Sequence, residues 1–264
     1  MELRYLSYSI VRDFLVCPEK GRLSHIERLK KPGVKGVLLF GTGIHFGIES
    51  FYKEGVVPWE AFSVFWNEAV SEIKRTGEEL IIDEDEGVLE NAGKVILKRW
   101  LEHEETPKDC WEIEKSLKIE IEGIPFYATV DYIGEEGKVL LDWKTSSFRY
   151  NGAKGDFDLQ LTAYSYMMSE VLGFVPEKVG FGVFVKKKDP EVQYVWGRKR
   201  TKDDFENFKR IVKKVYLDVM RGEFFKNYGM QCQWCDFLPL CLGEADESAY
   251  VRKDGGYYEK YEIE

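Results

Sequence analysis

Residues Phe126 to Thr145 read FYATVDYIGEEGKVLLDWKT, and no other stretch limits the fold as much. Gly134-Glu135-Glu136-Gly137 separates two runs in which apolar and polar residues alternate, the pattern of a β-hairpin. Side chains of a strand point to alternate faces. A turn centred on Glu135 and Glu136 sets Tyr132 opposite Val139, Asp131 opposite Leu140 and Val130 opposite Leu141. One face then carries Ala128, Val130, Tyr132, Val139, Leu141 and Trp143, fit for a core. The other carries Asp131, Asp142 and Lys144, with the aspartates as diagonal neighbours about 7–8 Å apart. From there both carboxylates reach one divalent cation, and hard oxygen donors suit Mg²⁺ or Mn²⁺. A lysine two residues on can orient a water or steady negative charge on a phosphate. A single extra loop residue would send the aspartates to opposite faces. A two-stranded ribbon with a solvated polar face has the same pattern, so the hairpin alone leaves both readings open.

The 264 residues suffice for one large domain or two small ones, and 44% hydrophobic content supports a substantial core. No apolar stretch is long enough to span a membrane. The opening MELRYLSYSIVRDF has charges scattered through it and is not read as a signal peptide, so an intracellular, cytoplasmic protein is expected. The net charge of −9 does not suggest a nucleic-acid partner on average, but the charge is segregated. Residues 78–90 carry seven acids and no base, whereas 186–214 hold eleven Lys/Arg against five Asp/Glu.

Ser7 or Ser9 is placed to cap a short helix that ends at Cys17-Pro18. The basic segment Lys20 to Lys35 reads as helix or turn followed by loop. In FGTGIHFGIESFY, Thr42 is the expected N-cap, with His45 and Glu49 four apart on one helix face. Pro58 opens a second helix and the acidic stretch leads into a third, both with apolar stripes and no evident chemistry. Residues 110–122 alternate as a strand. Asp156 or Asp158 starts a helix ending near Gly173, with Gln160 and Tyr164 four apart on it. Residues 178–185 and 191–197 read as further strands, and Thr201 with Asp204 has the form of a capping box.

Of five cysteines, three lie in CQWCDFLPLC: Cys232, Cys235 and Cys241. An odd count without a secretion signal argues against a disulfide framework, and three thiolates this close point to a metal. The spacing leaves Zn²⁺ and an iron–sulfur cluster both open. A fourth thiolate comes from Cys17 or Cys110. Cys17, before a proline at a helix end, is the better candidate; Cys110 opens a strand, where a buried cysteine is ordinary. Ligation by Cys17 would tie the N-terminal and C-terminal regions together.

The order GTGIH, ATVDYIG, LLDWK, QLTAY, flanked by these cysteines, resembles the RecB-like branch of the PD-(D/E)XK nucleases, over about residues 7–242. The cysteine pattern is similar to that of the iron–sulfur members, the CRISPR-associated exonucleases and AddB-type nuclease domains. The resemblance implies an α/β (α+β), restriction-endonuclease-like fold: a mixed central sheet flanked by helices, with a helical insertion and a cysteine-ligated cluster. A single nuclease domain over 1–264 is expected, with a helical part at about 37–108 and a nuclease core at about 109–200. The C-terminal helix and cluster-binding segment then occupy 201–242 and an acidic tail 243–264. By the same resemblance His45, Asp131, Asp142 and the backbone carbonyl of Trp143 are metal ligands for Mg²⁺ or Mn²⁺, and Lys144 is the catalytic lysine. Gln160 and Tyr164 contact DNA or support the site. Cys17, Cys232, Cys235 and Cys241 hold a 4Fe-4S cluster, with Zn²⁺ as the alternative.

The function expected is a metal-dependent DNA exonuclease acting on single-stranded or frayed DNA. Aromatics near the site would stack unpaired bases, and helicase or CRISPR-adaptation proteins are the partners the resemblance implies. The alternatives are a non-catalytic DNA-binding adaptor subunit and a zinc-stapled scaffold.

Overall fold

Local punctuation sets the limits of the helices, and alternation sets those of the strands. The computed structural model describes residues 4–253. In chain order its main elements are α1 (Tyr8–Val16), α2 (Gly36–Glu54), α3 (Pro58–Thr76), α4 (Glu86–Glu102), β1 (Cys110–Ile121), β2 (Ile124–Gly134), β3 (Val139–Ser146), α5 (Leu159–Leu172), β4 (Lys178–Val185), β5 (Glu191–Gly197) and α6 (Lys202–Arg221). Ser7 caps α1 by accepting from Ile10 N, Asp85 caps α4 and Asp158 caps α5, each side chain satisfying an orphan N–H. Pro58 begins α3, where a missing N–H costs nothing. Contacts along the chain group into two compact units. One comprises residues 33–115 and 129–201, the other residues up to 32, 116–128 and 202 onward.

The first of these, the sheet unit, is organised around β2, β3, β4 and β5 in that order. β2 and β3 are antiparallel, β3 and β4 parallel, β4 and β5 antiparallel, which makes a mixed sheet. One face carries Tyr132, Leu141, Trp143 and Phe184 into a core shared with Ile44, Ile48, Phe62, Trp66, Ile96 and Trp100 of α2, α3 and α4. Helix α5 packs across β3 and β4 on the opposite face, the one that carries Asp142 and Lys144. This is the mixed sheet flanked by helices that the sequence predicts.

The hairpin register differs from the expected one. Tyr132 pairs with Leu141, Ile133 with Leu140 and Gly134 with Val139. The loop is four residues long because Glu135, Glu136 and Gly137 all take positive φ before Lys138 closes the turn. The shift is two residues, so every side chain keeps its face. At Asp131 the two strands are joined through a side chain, Oδ2 accepting the Trp143 N–H at 2.7 Å.

Two other expectations need correction. Thr42 does not cap α2: the helix starts six residues earlier at Gly36, and Thr42 Oγ1 donates back to Leu38 O at 3.1 Å. The glycines there pack against other elements and do not mark a boundary. A Cβ on Gly43 would lie 2.8 Å from the Phe62 ring, and one on Gly47 2.6 Å from Pro58 O. The basic segment 20–35 is helical only through Ile26, and then Leu29–Lys30 and Val34–Lys35 pair as short strands, not loop.

The second unit holds α1 and α6. Leu6–Ser7 pairs in parallel with Phe126–Tyr127, and Phe126 meets Phe208 of α6 edge to face at 5.5 Å. Leu23, Leu29, Phe237 and Tyr250 form a small core of their own. Val251–Arg252 pairs with Leu29–Lys30, so the first part of the acidic tail docks there. Its remainder lies outside the described residues. Among the described residues no helix is long and apolar enough to cross a membrane.

The Phe62 ring packs against Gly43 of α2 and Gly93 of α4, and a Cβ on Gly93 would fall 2.2 Å from it. Gly93→Ala should therefore destabilise the protein by about 1–3 kcal/mol through overpacking. Denaturant titration should show a smaller loss from the same change in a Phe62→Leu background. An equal loss in both backgrounds would refute this packing account.

Candidate active site and cysteine cavity

Residues from four separate elements of the sheet unit converge. Helix α2 delivers His45, whose Nε2–H donates to the Trp143 carbonyl at 3.0 Å. Its Nδ1 stands 3.3 Å from Glu114 Oε1 and 3.8 Å from Asp131 Oδ2. One ligand atom from each of His45, Glu114 and Asp131 lies within 4.8 Å of the others, an arrangement able to hold a metal ion. Strand β2 supplies Asp131, which accepts the Trp143 N–H at 2.7 Å and so fixes the hairpin's two strands at that level.

Asp142 and Lys144 of β3 lie on the same strand face, and Lys144 Nζ is 2.6 Å from Asp142 Oδ2. The other Asp142 oxygen accepts from Gln160 Nε2 at 2.9 Å, and the same amide donates to Tyr164 OH at 2.8 Å. The QxxxY pair is thus a brace behind Asp142, with Tyr164 buried against the sheet. Asp142 is tied to Lys144 and Gln160, and stands outside the His45–Glu114–Asp131 group.

Glu114 is the residue that sequence reasoning missed, whereas Glu49, to which the sequence assigned no role, lies apart. Glu49 pairs with Lys53 at 2.6 Å along the outside of α2. Glu114 stands in β1 with φ of 49°, the left-handed region, whereas the other non-glycine positive φ values (Arg28, Glu122, Glu135 and Glu136) fall outside the strands. Backbone strain of this kind costs about 1–3 kcal/mol and persists where the surroundings impose it, often at functional sites. It aims the carboxylate at His45. Alternation in CWEIEKSLKIEI gave no hint of it, because every even-numbered residue from Glu112 to Glu120 is polar.

Burial acts against every charge here. It pushes the Asp131 carboxyl up, and it takes Asp142 up to about 7 despite the Lys144 ammonium. Burial also opposes a charged His45, but the Asp131 and Glu114 carboxylates outweigh it and hold the imidazole at about 9. Lys144 is raised above its ordinary value because Asp142 and Asp131 outweigh its desolvation.

In the second unit a cavity of about 240 Å³ is lined by Cys17, Cys232, Cys235 and Cys241, with Lys20 and Lys226 at its wall. The Asn227 N–H donates to Cys17 Sγ at 3.4 Å, and Lys226 Nζ donates to Cys241 O at 2.7 Å. Burial raises the thiols of Cys235 and Cys241, while Lys20 and Lys226 respectively oppose that shift. Cys110 lies apart against the sheet unit's apolar core, where burial pushes its thiol up to about 12.

The site's charge balance sets a pH dependence for the metal-free protein. Both His45 and Asp142 are raised on folding, from 6.5 and 3.8, so each stabilises fully below its unfolded value and loses that contribution as pH rises through about 9 and about 7. Stability measured by denaturant titration in EDTA should fall by on the order of 1–2 kcal/mol between pH 6 and 9.5, and His45→Ala should flatten that slope. A wild-type protein whose stability is constant or rises over this range would contradict the charge assignment.

A family profile described as "PD-(D/E)XK nuclease superfamily" matches residues 5–242. The chain is similar in fold to the Eubacterium rectale protein whose crystal structure is described as "Putative exonuclease", at TM-score 0.61 and 16% identity, covering 97% of this chain and 92% of that one. The solved structure of SSO0001 is also 16% identical and covers 90% of this chain and 96% of that one, but at TM-score 0.35 it carries no argument. No curated protein matches. With most of its length covered by the family profile, the chain belongs to the PD-(D/E)XK nuclease superfamily.

Proposed function

We propose that the protein is a divalent-metal-dependent DNA exonuclease of the RecB-like, AddB-type branch, acting on single-stranded or frayed ends. The observation that carries this reading is the convergence of His45, Glu114 and Asp131 beside the Asp142–Lys144 pair. Three carboxylates and an imidazole gathered together suit an oxygen-preferring cation such as Mg²⁺ or Mn²⁺. His45, Glu114 and Asp131 would hold the ion, with the Trp143 carbonyl and Asp142 adjacent. When bound, such an ion neutralises the phosphate and lowers the pKa of a bound water.

The chain's own residues then have distinct parts. Lys144, held cationic by Asp142 and Asp131, acts as a fixed ammonium that donates to the phosphate or to the attacking water, not as a base. Asp142 orients Lys144, and Gln160 with Tyr164 orients Asp142. To hold an ion, His45 would have to present a deprotonated ring nitrogen, so metal uptake would release the proton it shares with Glu114 or with the Trp143 carbonyl.

We further propose that Cys17, Cys232, Cys235 and Cys241 hold a structural 4Fe-4S cluster. Four cysteines around one cavity fit it. Zn²⁺ held by the same thiolates is the alternative. Helicase or CRISPR-adaptation proteins are the partners this reading implies.

End-labelled single-stranded, duplex and closed circular DNA, each with Mg²⁺, Mn²⁺ or EDTA, test the reaction. Asp142→Ala, Lys144→Ala and Glu114→Gln should each lower cleavage by about a hundred-fold or more while the circular dichroism spectrum is kept. Full activity in the Lys144 variant, or equal activity in EDTA, would overturn the proposal. Inertness on every DNA form with Mn²⁺ would favour a non-catalytic adaptor. Anaerobic purification should give a brown protein with about four irons, and Cys235→Ser should lose the colour and lower the melting temperature. A colourless protein with stoichiometric zinc would refute the cluster.

A further inference from the structure

The segment between β3 and α5 follows Lys144 and precedes Gln160, so it borders the candidate site at both ends. Its backbone is firmly anchored. The Gln193 side chain accepts from Tyr150 N at 2.9 Å and donates to Tyr150 O at 3.0 Å. Arg200 donates to Gly155 O at 2.7 Å, and Arg198 N–H to Asp156 Oδ1 at 2.8 Å. Gly155 approaches the β5 backbone so closely that a Cβ would come within 2.6 Å of Trp196 O. The Tyr150 ring meets Phe181 edge-on at 5.6 Å, with Lys154 Nζ 4.9 Å above it.

On this rigid segment two rings stay bare. Phe148 is 80% exposed and Phe157 72%, more than any other phenylalanine among the described residues. A single exposed apolar side chain needs no explanation, but two on one anchored segment beside a catalytic lysine are a different matter. Basic groups adjoin Phe148. Lys186 N–H donates to Ser146 O at 2.7 Å, which brings the β4–β5 turn next to Phe148. Arg149 and Lys187 lie 3.5 and 2.9 Å from the same Glu191 carboxylate, and Lys188 is a third cation in that turn, whose Asp189 is already paired with Arg99. Two cations share the one Glu191 carboxylate, which leaves positive charge over for phosphates.

We propose that Phe148 and Phe157 form a stacking platform for the unpaired bases of a single-stranded DNA end, with Arg149, Lys187 and Lys188 on its phosphates. The inference rests on the nuclease reading and adds a physical origin for strand preference. Unpaired bases offer free π-faces to an aromatic ring, whereas bases inside a duplex are already stacked. Stacking is tolerant of sequence, which suits a processive end-directed enzyme.

The test uses the full-length protein in Ca²⁺, a 12-nucleotide single strand with 2-aminopurine near one end, and the Phe148→Ala/Phe157→Ala double variant. Both positions are exposed, so the fold should be kept. In the wild type, binding should quench 2-aminopurine fluorescence. The double variant should bind about ten-fold or more weakly, without quenching, while its duplex affinity stays unchanged. Abasic sites in place of the bases should weaken the wild type to the variant's level and leave the variant indifferent. Equal affinity and quenching in wild type and variant would overturn the platform, as would a wild type that binds no single strand, or losses of the same size on abasic and duplex DNA. A wild type that binds and quenches but cuts no DNA refutes the nuclease reading and leaves the platform standing. One that cuts single strands with the fluorescence unquenched sinks the platform alone.

Discussion

Burial of like charges at the level of Asp131 and Asp142 is the constraint on which the sheet unit depends. Both carboxylates are nearly inaccessible, and Glu114 adds a third acid. An isolated buried carboxylate costs several kcal/mol, so these groups persist only because each has partners. Asp131 has the Trp143 N–H and the His45 imidazole; Asp142 has Lys144 and Gln160. The partners come from α2, β3 and α5. The same polar contacts that tolerate the charges also fix how those elements meet the sheet. Acids and their cationic partners are thereby packed at one level of the sheet, each dependent on the others for its charge.

The hairpin shows why part of this was legible. Period-two alternation identifies which residues share a face, and parity survives any even shift in register. The turn was misjudged by two residues, because three consecutive positive φ values at Glu135, Glu136 and Gly137 are not written into a Gly-Glu-Glu-Gly string. The consequence for the site was small, because a two-residue shift leaves Asp131 and Asp142 on the faces that alternation assigns them. Strands β4 and β5 and the cap at Asp158 were readable for the same local reasons.

What stayed hidden depends on tertiary context. Glu114 reaches the site through a left-handed residue inside a strand, a conformation that only its surroundings can impose. His45 and Glu49 share a helix stripe by spacing, yet the sheet selects one and leaves the other paired with Lys53. Thr42 reads as a helix start, yet α2 runs through it, and the glycines around it let Phe62 and the Pro58 carbonyl approach the helix. Glycine as a breaker and glycine as a contact surface look identical in sequence.

The second unit is assembled from three distant stretches of chain, and closing the long loop between them carries an entropic cost that grows only as the logarithm of its length. Part of that cost is met without any cluster. Glu19 N–H donates to Phe225 O at 3.1 Å, Asn227 Nδ2 donates to Val16 O at 2.8 Å, and Asn227 N–H reaches Cys17 Sγ. These contacts bring the residues around Cys17 to the start of the cysteine-bearing segment. Ligation of four thiolates would then act on ends already held close, so its main effect is on the short, poorly cored stretch 229–242. That stretch has Phe237 as its buried anchor. A cross-link adds most where apolar burial is least, and by that measure the cavity sits where this unit most needs one.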